Sequence, residues 1–181
     1  MLRDSGAFLL LILLVPGALA LAASPEQPSG PGPEHKRLGS LIGTWQFSLT
    51  LEPSPLGPGG PITGTDHNEW LPGGYFLVRR YETRSPLGEF RGLEVIGYDA
   101  AQKVYLQHGF DSRGSSHAVY RGTVEKDTWT WTFDTTAEGQ AYQVRVTIRE
   151  VSPTLQRYQA EISRDGRAWT SLLQGILTKT D

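Results

Sequence analysis

From Gly43 to Lys179 large apolar and polar residues alternate in short runs, with almost no helical period. The clearest run is Gly43-Thr44-Trp45-Gln46-Phe47-Ser48-Leu49-Thr50-Leu51, where every odd position from Trp45 is large and apolar and every even one is polar. Side chains alternate across a strand, so this segment has one dry face and one wet face. The same reading places strands at 43–51, 64–71, 74–83, 90–99, 103–111, 115–124, 127–134, 140–151, 154–164 and 167–178. About ten strands joined by hairpins predict an all-β, antiparallel up-and-down barrel. Segment 34–42 is the one short helical candidate, with Leu38, Leu41 and Ile42 on one side, and is expected to plug one end.

Residues 52–63 form a long, Pro/Gly-rich, nearly uncharged connection, and 84–89 and 135–139 are also longer than the Pro72-Gly73 turn or the links at 99–102 and 125–127. Alternate connections of such a barrel share an end. The long ones therefore gather at one rim, the expected mouth, with 52–63 as its lid. The alternative is that they are tolerated insertions.

Ahead of the domain, the apolar run Ala7–Val15 is broken by Pro16-Gly17 and followed by the small residues Ala18, Ala20, Ala22 and Ala23. These are the parts of a secretory signal peptide, expected over 1–23 and cleaved near Ala20–Ala23. A Pro/Gly-rich linker follows over 24–33, then a barrel domain over 34–181. The expected location is periplasmic or extracellular (secreted), with no stable membrane insertion after cleavage. An uncleaved anchor is the alternative, since Gly6 to Ala23 nearly reaches spanning length.

The chain has no Cys, which removes a disulfide framework, a lipid-anchoring cysteine and thiolate chemistry. Stability must come from core burial, which about 140 residues can supply. The net charge of −2, without any basic stripe, argues against nucleic acid and anionic membrane surfaces as partners.

Three groups of residues carry a resemblance. Gly43-Thr44-Trp45, opening the first strand after a short helix, is similar to the Gly-x-Trp start of lipocalins and their calycin relatives. Trp70-Leu71-Pro72-Gly73-Gly74-Tyr75-Phe76-Leu77 resembles the W-L-x-G-G-x-F-L hairpin of an uncharacterised, mainly bacterial family known as domain of unknown function 1579. Gly97-Tyr98-Asp99, Tyr105 and Asp111-Ser112-x-Gly114 follow in that family's order. The resemblance implies a lipocalin-like barrel and brings no catalytic residues. Locally, Gly73-Gly74 suits a tight hairpin and Asp111–Gly114 a type I turn with Gly114 left-handed, giving a bulged hairpin.

If the dry face is the lumen, the inward sets are Trp45, Phe47 and Leu49; Trp129, Trp131 and Phe133; Tyr142, Val144, Val146 and Ile148; and Val104, Leu106, His108 and Phe110. Eight strands give a barrel just wide enough to fill or to hold one small ligand, so ten favour spare volume over a filled core. Of the adjacent Arg79 and Arg80 one points in, with Glu94 as a possible counter-charge; the bland alternative is that both reach solvent. On the second strand His67 and Glu69 share one face and Asn68 and Trp70 the other, the polar face being expected outside. His108 is the best candidate for a polar group of the cavity, the commoner alternative for a lone His on an apolar face being a satisfied core residue. A symmetric turn would set His117 opposite it, but the bulged turn sends His117 to the other face, so no two-His metal or haem site is expected.

The candidate cavity lining is Trp45, Phe47, Leu49, Arg79, Leu106, His108, Phe110, Trp129, Trp131 and Tyr142, with no catalytic set, metal or cofactor. The chain lacks a G-x-S-x-G elbow, H-E-x-x-H, a P-loop and G-x-G-x-x-G. The expected function is non-catalytic binding of a small apolar or amphipathic molecule. The alternatives are a hydratase- or isomerase-type acid–base enzyme at the mouth, or a solid-core module that binds a protein partner through its rim loops.

Overall fold

The computed structural model describes residues 30–114 and 118–181. The expected signal peptide, the linker up to residue 29 and His117 lie outside the described residues. The expected helical segment is a short helix, α1 (Pro33–Arg37), running into a 3-10 turn (Leu38–Leu41). Then come β1 (Gly43–Leu51), β2 (Gly60–Trp70), β3 (Phe76–Ser85), β4 (Gly88–Asp99) and β5 (Val104–Asp111). The second half holds β6 (Ala118–Glu125), β7 (Thr128–Ala137), β8 (Gln140–Ser152), β9 (Leu155–Ser163) and β10 (Thr170–Lys179). Each strand pairs with its neighbour in chain order, and β1 pairs β10 to close an antiparallel barrel. Every strand read from the alternation is present.

Two connections are shorter than expected. The β3–β4 ladder continues to Ser85↔Gly88 and the β7–β8 ladder to Ala137↔Gln140. In the second turn Glu138 and Gly139 both have positive φ, 50° and 74°, the geometry of a two-residue turn matched to strand twist. Gly73, Gly74 and Gly114 take the positive φ their turns require.

Four glycines face an aromatic ring directly across a ladder: Gly64 and Phe47, Gly92 and Tyr81, Gly122 and Trp131, Gly97 and Phe76. A Cβ at any of them would overlap the ring. The ring lies on the bare backbone, fills the missing side chain and lets the sheet coil there.

Leu38, with no exposed surface, inserts α1 and its 3-10 turn into one end of the barrel. Tyr105 donates to the Glu34 carbonyl, and Trp45 and Asn68 both donate to the Leu41 carbonyl. Glu150 accepts from Arg37, Ser40 and Trp129 Nε1, tying the plug to the β7–β8 wall. Below the plug Tyr98, Tyr105, Trp129 and Trp131 pack ring against ring. Around β1 and β7–β10 the lumen is solid, with Leu51, Tyr142, Val144, Val146, Ile162 and Leu172 in one core. The loop of residues 52–59 closes over this half, since Leu56 packs against the same core.

Candidate functional site

The unfilled half of the lumen is polar. Asp66 of β2, Arg79 of β3 and Glu94 of β4 point inward from adjacent strands, as positions 62, 64 and 68, 77 and 81, and 92 and 96 do around them. Arg79 Nη2 lies 2.7 Å from Asp66 Oδ2 and Nη1 lies 3.2 Å from Glu94 Oε2. The second contact is close enough for an ion pair but not aligned as a hydrogen bond, and Glu94 Oε2 has no hydrogen-bond partner. Asp66 is 2% and Glu94 6% exposed. Burial pushes both carboxyls above the usual range, against the pull of Arg79. Burial works against the charge of Arg79 as well, but the two carboxylates outweigh it and hold the guanidinium charged. Burial likewise drives the Tyr81 and Tyr158 phenols up to about 12, and Tyr120 upward too, so all three stay neutral at physiological pH.

Two spaces adjoin this cluster. Toward the plug is a void of about 40 Å³, bordered by Trp45, Asp66, Asn68, Arg79, Gln107 and Trp131 among others. Asp66 Oδ1 and Asn68 Oδ1 are buried without a partner in the protein. A void of that size takes one or two waters, not an organic ligand. Toward the open rim is a bowl of about 610 Å³, bordered by Tyr81, Glu94, Asp111, Tyr120, Phe133 and Asp134. That is the size of a small-molecule pocket.

The bowl exists because the wall opens. Among the described residues the β6–β7 ladder ends at Arg121↔Thr132, whereas β7–β8 pairing runs on to Ala137↔Gln140. Beyond that point β6 and β7 form no further ladder pair among the described residues, and the Tyr120 and Phe133 rings meet there with centroids 4.4 Å apart. Outward-facing Phe110 and Val119 therefore reach the bowl's lip.

The expected cavity residues divide. Trp45, Arg79 and Trp131 border the small void. Phe47, Leu49, Trp129 and Tyr142 are inward but packed into core. Leu106 and His108 correct the reading: that face of β5 is the outer wall and His108 is exposed, while Phe110 on the same face, 52% exposed, borders the bowl only at its lip. Tyr105, Gln107 and Gly109 are the buried set, because the polar lumen takes Gln107, which hydrogen-bonds Glu94. His108 pairs with Val119 across the ladder. On β2 it is Asn68 that is buried, while His67 bonds Thr44 on the surface. The lid expectation is also corrected, since residues 52–59 cover the solid half and do not border the bowl. A further hollow of about 710 Å³ is a trough on the outer wall, lined by exposed side chains such as Ser48, Thr63 and Arg84. No group of three or more His, Asp or Glu able to hold a metal occurs among the described residues.

Asp66, Tyr81, Tyr120 and Tyr158 escaped sequence reasoning as site residues, whereas Phe133 was read as inward-facing. The usable signal was β2: Thr63-Gly64-Thr65-Asp66-His67-Asn68 is small or polar on both faces. In a closed barrel one of those faces must enter the lumen.

Residues 30–178 match the profile of DUF1579, a protein family of unknown function. The chain belongs to this family. No curated protein sequence matches this DUF1579 barrel. Among solved structures, Rv2717c from M. tuberculosis aligns over 83% of this chain and 99% of its own, with a TM-score of 0.56 and 14% identity. The S-type phycobiliprotein lyase CPES from Guillardia theta aligns over 82% of this chain and 93% of its own, with a TM-score of 0.49 and 9% identity. At 14% identity the likeness to Rv2717c concerns the fold alone.

Proposed function

We propose that this DUF1579 barrel is an exported container that holds a small amphipathic molecule in the bowl without transforming it. The observation carrying this reading is the bowl itself. It has ligand-sized volume, aromatic walls from Tyr120 and Phe133, and the largely buried carboxyl of Glu94 on its border. Apolar burial against the rings supplies affinity, and the polar floor supplies orientation. Export rests on the apolar run Ala7–Val15 followed by small residues.

A second reading, acid–base catalysis, is favoured by one observation: Glu94 carries a raised carboxyl in a cleft. Native mass spectrometry of protein purified gently from its host tests both. A co-purifying mass that disappears in Tyr120→Arg supports the container. An empty protein whose tryptophans no apolar probe quenches removes it. A bound mass chemically altered on incubation, but unaltered in Glu94→Gln, selects the enzyme.

A further inference from the structure

The sign of the charge on that molecule can be read from the lumen. Asp66 and Glu94 share a single guanidinium, Arg79, so with all three ionised the cluster carries one excess negative charge inside the barrel. Asp66 is the better-paired partner, at 2.7 Å and within hydrogen-bonding reach of Arg79. Glu94 holds the excess, and it is the one that borders the bowl. The rim repeats the sign: among the described residues that border it, Asp111 and Asp134 stand with Arg113 as the one base, and Arg113 Nη2 is 2.7 Å from Asp111.

Enclosed charges interact strongly, so this imbalance must be relieved. A proton on a carboxyl relieves it, which is the sense in which burial shifts Asp66 and Glu94. A ligand cation beside Glu94 relieves it equally and leaves both carboxylates ionised. An anionic ligand would add to the excess. The walls agree with this sign. Tyr81, Tyr120 and Phe133 turn aromatic rings to the bowl, and ring faces attract cations. One position is taken already, because Arg79 lies 5.6 Å from the Tyr81 ring centroid.

We infer that the bowl binds an organic cation, an amine or quaternary ammonium carried on an apolar body, with its charged head against Glu94 and beside the touching Tyr120 and Phe133 rings. This rests on the container reading above and names its ligand class.

Three probes share one apolar body: 4-phenylbutylamine (cation), 4-phenylbutan-1-ol (neutral) and 4-phenylbutanoate (anion). Binding to the wild-type protein at neutral pH is followed by calorimetry and tryptophan fluorescence. The amine should bind at least about ten-fold tighter than the alcohol, and the anion weakest. Glu94→Gln should bring the amine down to the alcohol's affinity and leave the alcohol unchanged, which also shows that the variant is folded. Phe133→Leu, which keeps Glu94, should reduce the amine's advantage several-fold. An alcohol or anion that binds as well as the amine overturns the cation inference while the container reading stands. If none of the three binds, the container reading itself fails. An amine preference that survives in both variants places the cation elsewhere and overturns the assignment to this bowl.

Discussion

Arg79 and Glu94 stand directly opposite one another in the β3–β4 ladder, yet their 3.2 Å contact leaves Glu94 Oε2 without a hydrogen bond. The same guanidinium bonds Asp66 more closely. Burial raises both carboxyls from their ordinary values of 3.8 and 4.5. Folding therefore favours their protonated forms: their contribution is fully present below about pH 4 and is lost as pH rises through the folded values. Glu94→Gln removes one such group. The expected result is a gain of roughly 1–2 kcal/mol near neutral pH that vanishes near pH 4. Thermal unfolding followed by circular dichroism across that range checks it, and a loss of stability at neutral pH would contradict it.

Arg79→Met should do the reverse. It strands two enclosed carboxyls with no counter-charge, at an expected cost of about 3–5 kcal/mol near neutral pH. Part of the loss should return on acidification, as the carboxyls take up protons. Urea unfolding of the wild type and the variant at two pH values is the measurement. A cost independent of pH would mean that Arg79 acts only through packing.

Glu150 gives the opposite pH sign. Burial alone would raise its carboxyl, but bonds from Arg37, Ser40 and Trp129 outweigh burial and hold it below the usual range. Its contribution is present above about pH 4.5 and is lost as pH falls through the folded value. Glu150→Ala should cost about 2 kcal/mol at neutral pH and loosen the plug first. Hydrogen exchange reads this as faster exchange of the Lys36 and Leu38 amides, with the β3–β4 ladder unchanged.

Gly122→Ala sets a methyl group against the Trp131 ring inside a packed core. The expected cost is about 2–4 kcal/mol. Adding Trp131→Leu should cost less in this background than in the wild type, because the clash goes with the ring. A strictly additive double mutant would show that the ring moves aside at no cost.

The barrel was legible because alternation is a strong signal wherever one face is apolar, as in β1, β7 and β8. Arg79 and its opposite number Glu94 were legible because one of two adjacent arginines must point inward. The face of β5 was not. It carries Leu106 and Phe110 on one side and Tyr105 and Gln107 on the other, and apolarity chose the wrong one. Hydropathy assumes an apolar interior, and half of this interior is polar. The bowl was beyond sequence reasoning altogether, because it depends on where the β6–β7 ladder stops.

That early stop sits far from the stopper. α1 and its 3-10 turn are bolted at one end by Glu150, while the gap between β6 and β7 lies toward the other rim. A molecule entering or leaving by the gap disturbs neither the bolt nor the ring stack beneath it. If the bowl is the container proposed above, traffic through the side wall is uncoupled from the integrity of the vessel, and a change that tightens the stopper should leave the rate of exchange untouched.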